Sequence, residues 1–361
     1  MSEKRFMIDA YSDWIKNESI PIIEEFCVDL NTVETKFWPR VGVNAAAIHM
    51  QGRGDFVSVF LLDIPAGSKT EPQRHLYEEI FYVISGTGTT QIELADGTKH
   101  IFEWGPRSMF APPLNAKYRL FNSSGTENAR VASTNNFPMM IKAFRNESFI
   151  FNNNFNFVER YGTTDFFEGK GAIAPNIGSR KIWETNFVPD LSELELISWA
   201  ERGTKSSHIS FSLAEGTVHA HCSQMLSGTY KKAHRHGPDA HVFIVTGEGY
   251  SLFWDKDKEY KRYDWKPGCL FAPTDMIWHQ HFNTSSQPVR YMATAYGSSR
   301  YPFFESKIIA RKNNDKDVKK GGQQIEYYDQ DPYIHELFLK ELEKKKVKSQ
   351  IDISLFVTNK L

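Results

Sequence analysis

The sequence has few cysteines, no long apolar run and almost no net charge, and each of these absences argues against a class of protein. Cys27, Cys222 and Cys269 are the three cysteines of the 361 residues and form no CxxC pair. This argues against a disulfide framework and fits a reducing compartment, so we expect a cytoplasmic protein. No stretch reaches the roughly 18 consecutive apolar residues that a membrane-spanning helix requires. With a formal net charge of -1, we expect a small-molecule partner and neither nucleic acid nor a membrane.

Histidine, in contrast, is concentrated in one part of the chain. Eight of the twelve histidines lie between His208 and His281. His234 and His236 are spaced i, i+2, and side chains at that spacing point to the same face of a β-strand, so both can reach one metal ion. His279 supplies a third imidazole. The sequence therefore predicts a metal site held by three histidines on strands.

The sequence around these histidines occurs twice. One constant offset of 161 residues relates nine positions of the first copy to nine of the second, and such a repeat indicates an internal duplication. The first-copy positions are Gly67, Gln73, His75, Glu79, Gly86, Trp104, Pro112, Tyr118 and Asn122, and their counterparts are Gly228, His234, His236, Ala240, Gly247, Trp265, Pro273, His279 and Asn283.

The first copy has lost ligands that the second copy keeps. Gln73 and Tyr118 stand at the positions of the first and last histidine, so only His75 and Glu79 remain as ordinary ligands. A Gln/His/Glu/Tyr set matches poorly the nitrogen-rich sites that hold iron, copper or zinc. We therefore predict one divalent ion per chain, bound in the second copy, and a metal-free first copy.

The spacing of these motifs resembles a known family. The pattern Gly-x5-His-x-His-x3-[Glu]-x6-Gly, followed by His-x3-Asn, resembles the two signature motifs of the cupin family of small β-barrels. Together with the duplication, the resemblance implies an all-β bicupin with two cupin barrels, each a double-stranded β-helix or jelly roll, in tandem with peripheral helices. In this chain the pattern reads Gly228, His234, His236, Ala240, Gly247, His279 and Asn283.

We divide the chain into five predicted segments. Many short β-branched and aromatic runs between Gly and Pro turns are typical of antiparallel barrels. The segments are an N-terminal helical arm at 1–46, a degenerate barrel 1 at 47–141, an inter-barrel segment at 142–206, a metal-binding barrel 2 at 207–300 and a C-terminal extension with a helix at 301–361.

Local patterns add more specific expectations. Amphipathic stretches at Tyr11 to Ile15 and at Ile20 to Phe26 predict helices in the arm. Apolar and β-branched runs predict strands at Phe56 to Ile64 and at Glu79 to Ser85.

The C-terminal extension contains a loop and then a helix by the same reasoning. Arg311 to Gly322 is polar, Lys-rich and Gly-bearing, which predicts a loop. Asp331-Pro332 precedes apolar residues at helical spacing, and the Lys344 to Lys346 run favours a solvated helix end.

Position 240, where cupins commonly have a glutamate ligand, is Ala240. Three neutral imidazoles leave about three open positions on one face of an octahedral ion, which admits a bidentate anion together with dioxygen. His-Arg-His followed by this alanine, together with Trp-His-x-His, is similar to the gentisate 1,2-dioxygenase group of cupins. That resemblance implies Fe(II) on His234, His236 and His279, with His281 next to the ligands. Mn, Ni and Zn are the alternative ions.

Three further residues are candidates for contact with ligands or substrate. His281 lies two residues from His279 and faces the same pocket, where it either handles protons as a catalytic residue or is a hydrogen-bonded core histidine. His221 corresponds to Phe60 of the first copy on a pocket-side strand. Arg290 is a candidate for attracting a substrate carboxylate.

We favour structural roles for the remaining basic and histidine side chains. His241 and Arg235 alternate with inward positions, so we predict that both point away from the pocket and that Arg235 forms an outward ion pair. His219 is a weaker candidate than His221. Lys231 and Lys232 could attract a carboxylate, but exposed lysines on a strand are more often only solvated.

Three functions fit this pattern. The first is an Fe(II)-dependent dioxygenase that uses O2 to cleave a hydroxylated aromatic acid or a similar bidentate small molecule. The second is a non-redox isomerase, lyase or decarboxylase that uses the ion as a Lewis acid. The third is a cupin that binds a small ligand without turnover. Because exposed strand edges need covering, we also expect a homodimer or a larger assembly.

Overall fold

Strands dominate the structure, a computed structural model that describes residues 6–177, 180–237, 240–255, 259–302 and 315–357. Strands β1 to β11 of the first half are Ile22–Ile23, Cys27–Asp29, Lys36–Trp38, Val43–Ile48, Ser58–Ile64, Glu79–Ser85, Gly88–Glu93, Lys99–Trp104, Met109–Phe110, Lys117–Asn122 and Ala129–Asn135. Strands β12 to β25 are Ala172–Ile177, Arg180–Thr185, Phe187–Val188, Ile197–Ser198, Ser207–Leu213, Val218–Met225, Ala233–His234, His241–Thr246, Gly249–Trp254, Lys261–Trp265, Cys269–Phe271, Trp278–Asn283, Val289–Tyr296 and Gln324–Ile325.

Helices are short and peripheral. The α-helices α1 to α4 are Ala10–Asn17, Phe137–Phe144, Glu147–Phe151 and Pro332–Lys344. The 3-10 helices are Val158–Arg160, Thr164–Phe167, Ala200–Arg202, Val318–Lys320, Tyr327–Asp329 and Ile353–Phe356. None of the helices in the described ranges combines the length and the apolar composition needed to cross a membrane.

The strands build two β-barrels in tandem, each from a large and a small sheet, which confirms the predicted all-β fold. Within the described residues, the large sheet of barrel 1 has the order β1-β4-β5-β11-β6-β9-β14, with β3 on β4, and its small sheet has the order β10-β7-β8. Barrel 2 has a large sheet of order β12-β13-β16-β17-β24-β19-β22-β2, with β15 on β16, and a small sheet of order β21-β20-β23-β18-β25.

The two barrels exchange strands. Strand β2 precedes barrel 1 in sequence but pairs with β22 of barrel 2, and β14 precedes the main strands of barrel 2 but pairs with β9 of barrel 1. Each barrel is therefore completed by a strand from the other half of the chain. The domain limits assigned from sequence stay a prediction, because these strands cross them.

Three hydrophobic clusters hold the barrels. One combines side chains of both large sheets, such as Leu61 and Tyr82 of barrel 1 and Phe211 and Phe243 of barrel 2, and thus joins the barrels face to face. A second fills barrel 1. The third lies between the small sheet of barrel 2 and α4, whose Phe338 is fully buried.

The duplicated motif residues make equivalent structural contacts in both barrels. Trp104 Nε1 donates to Thr90 Oγ1 at 3.0 Å, and Trp265 Nε1 donates to Ser251 Oγ at 2.9 Å. Gly86 and Gly247 have φ of 82° and 75°, a left-handed conformation that favours glycine. The offset inferred from sequence therefore corresponds to a structural repeat.

Within residues 6–46 the N-terminal arm has one helix, the short strands β1 to β3 and the start of β4, which corrects the predicted helical arm at 1–46. Helix α1 confirms the first predicted helix and begins at a cap where Asp9 accepts from the backbone N–H of Tyr11 and Ser12. The predicted helix at Ile20 to Phe26 is wrong. Its β-branched Ile22 and Ile23 pair in parallel with β4 instead, because that sheet edge satisfies their backbone hydrogen bonds.

The other local predictions agree with the structure to within two residues. Strand β6 spans Glu79–Ser85 as predicted, and β5 begins at Ser58 instead of Phe56. Helix α4 starts at Pro332 behind the Asp331 cap. The predicted loop at Arg311 to Gly322 lies partly outside the described residues.

Candidate metal centre

Three histidines of barrel 2 converge on one point. His234 on β18 and His279 on β23 are directly opposite each other in an antiparallel pair, and His236 follows just after β18. One ring nitrogen from each of the three lies within 4.8 Å of the other two. The three residues predicted as ligands are therefore the ones that the fold brings together.

Backbone carbonyls fix the tautomer of all three rings. In each ring, Nδ1 lies at hydrogen-bond distance from a carbonyl oxygen, and because a carbonyl can only accept, Nδ1 must carry the proton. Each Nε2 then keeps a lone pair that can bind a metal ion. The contacts are His234 Nδ1 to Lys232 O at 3.0 Å, His279 Nδ1 to Ile277 O at 3.0 Å and His236 Nδ1 to Gly237 O at 2.9 Å.

Burial keeps the imidazoles neutral. Burial lowers the pKa of His234 and of His279 well below the ordinary value of 6.5, and the nearby positive charge of Arg202 lowers both further. A neutral ring is the form that coordinates a metal.

The donor set fits a divalent transition-metal ion. Among the described residues, His279 Nε2 has no hydrogen-bond partner although it is buried, and a buried nitrogen without a partner is costly unless a ligand satisfies it. Three imidazole nitrogens suit ions such as Fe, Mn, Ni and Zn. Ala240 is buried and adds no donor atom.

The equivalent positions of barrel 1 form a closed hydrogen-bond network. His75 Nε2 lies 3.0 Å from Glu79 Oε2 and 3.1 Å from the Tyr118 hydroxyl, which also donates to that Glu79 oxygen. Ser133 Oγ donates to Glu79 Oε1 at 2.7 Å, and His75 Nδ1 contacts Tyr77 O at 3.0 Å. The polar groups here satisfy one another, which supports the prediction that barrel 1 holds no ion.

Gln73 is hydrogen-bonded to the backbone beside this network. Its Nε2 donates to Glu71 O at 3.0 Å and to Arg40 O at 3.2 Å. The bond to Glu71 O is the counterpart of the bond from His234 to Lys232 O in barrel 2. The amide therefore copies the backbone contact of the lost histidine and leaves no ring nitrogen facing inward.

His281 has the opposite tautomer from the three ligands. Its Nδ1 lies 2.8 Å from Ser251 Oγ, which already accepts from Trp265 Nε1. The serine proton is then free to point at Nδ1, so the imidazole proton lies on Nε2. His281 is fully buried, its ring lies 5.4 Å from that of His279, and burial lowers its pKa well below 6.5. It thus offers a hydrogen-bond donor to the pocket instead of a fourth ligand.

Two buried basic side chains lie in the same interior, and burial lowers the pKa of one of them, Lys231, well below 10.5. Lys231 is 0% exposed and its Nζ donates to the Tyr291 hydroxyl at 2.7 Å. Arg202 is 4% exposed and pairs with Asp315 at 2.8 Å. The interpretation of Lys231 as an exposed, solvated lysine is wrong, because its side chain is buried against Tyr291 of β24 and Trp199.

Arg290 lies away from the centre. Its guanidinium donates to Leu191 O and to Gln224 Oε1, both at 2.8 Å. Arg130 in barrel 1 makes the corresponding bond to Leu30 O at 2.8 Å. The described contacts of Arg290 are therefore structural contacts that both barrels share. They give no support to the prediction that Arg290 binds a substrate carboxylate at the metal centre.

His221 contacts neighbours of the centre instead of the ligands. Its Nδ1 lies 3.1 Å from His219 Nε2, and its ring lies 6.3 Å from that of Tyr291. A direct contact of His221 with substrate stays a prediction.

Arg235, predicted to point away from the pocket, contacts side chains outside the histidine cluster, whereas the predicted orientation of His241 stays a prediction. Arg235 donates to Gln323 Oε1 at 2.6 Å and stacks over Trp278 at 4.6 Å, so the expected ion pair is replaced by an amide contact and a cation–π contact. Lys232 pairs with Glu326 at 2.6 Å. His241 is fully buried on β19.

Sequence reasoning missed Trp199 and Arg202. Both lie in the segment that we assigned as inter-barrel, and a motif search centred on histidine does not reach them. The signal was the same offset of 161, which pairs Trp199 with Trp38 and Arg202 with Val41.

The duplicated barrels and the three-histidine cluster in one of them define the class: the fold is that of a bicupin. Neither a protein-family model nor a curated protein matches the sequence. A solved structure from a study of the Mn(II) centres of oxalate decarboxylase from Bacillus subtilis matches with a TM-score of 0.50 and 13% identity, over 80% of this chain and 81% of that chain. Two variants of the same enzyme match with a TM-score of 0.50 and 12% identity, over 80% of this chain and 81% or 84% of theirs.

These comparisons bear on the expectations from sequence. At 12–13% identity the likeness shows the fold, and it confirms two tandem cupin barrels. It gives no support to the resemblance of the second barrel to gentisate 1,2-dioxygenases.

Proposed function

We propose that this chain is a metal-dependent enzyme that acts on a small carboxylate by a non-redox reaction of the decarboxylase or lyase type. One observation carries the proposal: three inward Nε2 lone pairs lie in the same buried interior as the Arg202 guanidinium, whose positive charge, after burial, lowers the pKa of His234 and His279. A metal centre beside fixed positive charge suits an anionic substrate.

His234, His236 and His279 would hold the ion. A divalent ion bound there would act as a Lewis acid that polarises an oxygen of the substrate. The buried Arg202 guanidinium attracts the carboxylate in an interior where water screens charge poorly. His281 orients a substrate oxygen through its Nε2–H.

Mn(II) is the ion that we favour, ahead of Fe(II). The oxalate decarboxylase with the similar fold has Mn(II) centres, and a centre of imidazole nitrogens with open positions for oxygen ligands accepts Mn(II). Fe(II), Ni and Zn remain the alternatives to be separated by metal analysis.

An Fe(II) dioxygenase is the second candidate, because Ala240 supports it. A buried alanine at the position of the usual glutamate leaves one more coordination position for a second ligand such as dioxygen. The two candidates differ in whether turnover consumes oxygen.

The test is turnover with and without oxygen. Protein purified anaerobically and loaded in turn with Mn(II), Fe(II), Ni(II) or Zn(II) is incubated with oxalate and other small carboxylates, and both CO2 release and oxygen uptake are measured. A decarboxylase releases CO2 without stoichiometric oxygen uptake, whereas oxygen uptake matched to product supports the dioxygenase.

The matched control is His279→Ala. This variant loses a ligand and should lose both metal and turnover while it stays folded. Turnover that survives in His279→Ala would contradict a role for this centre.

A further inference from the structure

Two of the three cysteines lie side by side where the N-terminal arm joins barrel 2. Cys27 is on β2 and Cys269 is on β22. These strands pair antiparallel, and Asp29, two residues after Cys27, is directly opposite Cys269. Residues two positions apart on a strand share a face, so the two cysteines are diagonal neighbours on one face of the sheet.

The two side chains interact as free thiols. A hydrogen bond joins them. This bond lowers the pKa of Cys269 below the ordinary value of 9.0 and raises the pKa of Cys27 above it. The thiolate is the nucleophilic form of cysteine, so Cys269 is the sulfur that reacts first with an oxidant. Cys27 is partly exposed, which gives a small oxidant access to the pair.

The third cysteine lies in a different environment. Cys222 is fully buried, its Sγ lies 3.9 Å from Leu191 O, and burial raises the pKa of its thiol to about 12. A thiol buried in this way is inert. Cys222 therefore provides an internal control for the reactivity of the other two.

Strand β2 can shift toward its neighbour. It has three residues, and among the described strands it is the edge strand of its sheet, next to β22. Diagonal neighbours on paired strands start slightly too far apart for a disulfide, so a bond between them requires a small shift of this short strand. Constrained disulfides of this kind are readily reduced, which fits a protein from a reducing compartment.

The same strand packs behind the metal centre. The ring of Phe26, next to Cys27, lies 4.7 Å from that of Phe253. The Phe253 ring in turn lies 6.0 Å from that of His279 and is stacked on it. The position of β2 therefore bears on a side chain that contacts one of the three histidines.

We propose that Cys27 and Cys269 are a redox modification site: hydrogen peroxide converts the two thiols to a reversible disulfide, which fastens β2 to barrel 2 and slows loss of metal from the centre. The disulfide itself is independent of the proposed function. The effect on metal loss rests on that function, because it needs a metal at the three histidines.

The oxidation proceeds in two steps. The Cys269 thiolate attacks one oxygen of the peroxide, so that an S–O bond forms, the O–O bond breaks and the departing hydroxide takes up a proton as water. The Cys27 sulfur then attacks the Cys269 sulfur, so that the S–S bond forms and the S–O bond breaks. The second hydroxide leaves with the Cys27 proton as water. Two thiols and one peroxide thus give one disulfide and two waters.

The first experiment counts thiols. Metal-free protein is treated with hydrogen peroxide, catalase removes the excess, and free thiols are counted after denaturation. We expect wild type to fall from three thiols to one, with a Cys27–Cys269 link found by peptide mass spectrometry, and dithiothreitol to restore all three. Cys222→Ala, the matched control, should lose both of its thiols. More than one remaining thiol in wild type, or a link between two chains, would overturn the proposal.

The second experiment measures melting temperatures of the same metal-free samples. Oxidised wild type should melt about 3 °C or more above reduced wild type, because the link closes a loop that contains all of barrel 1. Cys27→Ser, a change at a partly exposed position, should melt at one temperature before and after peroxide. Equal melting temperatures for the two states of wild type would show that the link does not fasten β2.

The third experiment follows loss of Mn(II) to a chelator. Oxidised wild type loaded with Mn(II) should release the ion several-fold more slowly than reduced wild type, and Cys27→Ser should show one rate. Equal rates in wild type would overturn the effect on metal. Protein that binds no Mn(II) in either state would contradict the proposed function, whereas the thiol count would still decide whether the disulfide forms.

Discussion

The two barrels of this chain share one backbone plan and differ in what fills them. The interior of barrel 1 belongs to a continuous cluster of aliphatic and aromatic side chains that includes Trp38, Phe60 and Leu120. Their counterparts in barrel 2 are Trp199, His221 and His281. At these positions one copy of the duplicated unit therefore has mostly apolar side chains, and the other has two histidines.

This difference shows how the chain accommodates a polar interior. Buried imidazoles and cations contribute little to folding and cost desolvation, so stability must come from elsewhere. It comes from the packed barrel 1, from the apolar interface between the large sheets and from the cluster under α4. Barrel 1 and these apolar interfaces therefore support the barrel that carries the candidate site.

The largest expected effect comes from giving barrel 2 the residues of barrel 1. The double variant His234→Gln/His279→Tyr removes two of the three predicted ligands, so we expect metal content near zero. Turnover should fall by more than roughly 100-fold, because that is the loss caused by removing even a hydrogen-bond partner of a metal ligand. Metal analysis and turnover measure it. A double variant that still binds one ion per chain would show that the three histidines are not the site.

The reverse exchange tests whether barrel 1 lacks only its ligands. In Gln73→His/Tyr118→His, a histidine at 73 meets the Glu71 carbonyl that Gln73 now contacts at 3.0 Å, which would fix its Nε2 inward. With His75 and Glu79 the set becomes three histidines and a glutamate. We expect the stoichiometry to rise from one to two ions per chain, and an unchanged value would mean that the barrel interior itself excludes metal.

A smaller effect is expected from adding the carboxylate of barrel 1 to barrel 2. In barrel 1 Glu79 Oε2 reaches within 3.0 Å of His75 Nε2, so the glutamate of Ala240→Glu should reach the ion beside His236. Metal retention should stay equal or increase, while the affinity for an anionic substrate falls about tenfold because a negative charge is added. Competition with a chelator and KM measurements test both parts; unchanged KM would contradict an open coordination face.

The buried histidines predict the pH dependence of stability in the metal-free protein. Burial lowers the pKa of His234, His279 and His281 well below 6.5, so below about pH 6.5 the unfolded chain binds more protons than the folded one. The free energy of unfolding should therefore fall as pH falls, by about 1.4 kcal/mol per pH unit for each histidine. Denaturant titrations of wild type from pH 8 to 5 measure the slope. His234→Gln/His279→Tyr should show a shallower slope, and an equal slope would place the titrating groups elsewhere.

The smallest effect on function is expected where the barrels are alike. Arg130 and Arg290 make corresponding bonds to Leu30 O and Leu191 O at 2.8 Å. Arg130→Met and Arg290→Met should each lower the free energy of unfolding by about 1–3 kcal/mol and leave metal content unchanged. Loss of metal in Arg290→Met alone would mean that this arginine also supports the centre.

The sequence by itself determined the duplication, the strand-rich fold and the three histidines that could hold a metal ion. These follow from local rules: a fixed offset between copies, turn residues between β-branched runs, and the i, i+2 spacing that places His234 and His236 on one face. Such rules depend only on the residue types and their spacing in the sequence, so the structure agrees with the predictions made from them. The prediction of a helix at Ile20 to Phe26 was wrong, because a sheet edge that is distant in sequence satisfies the backbone hydrogen bonds of this segment.

Only the tertiary structure decided which basic side chains are buried and which nitrogens face the candidate metal site. Lys231 and Lys232 are neighbours in sequence, yet one is enclosed beside Tyr291 and the other pairs with Glu326. The tautomers of the ligand histidines depend on carbonyls that the folded backbone positions. Whether a side chain is buried, and which hydrogen bonds it makes, depends on contacts between segments that are distant in sequence. Local sequence patterns do not specify those contacts.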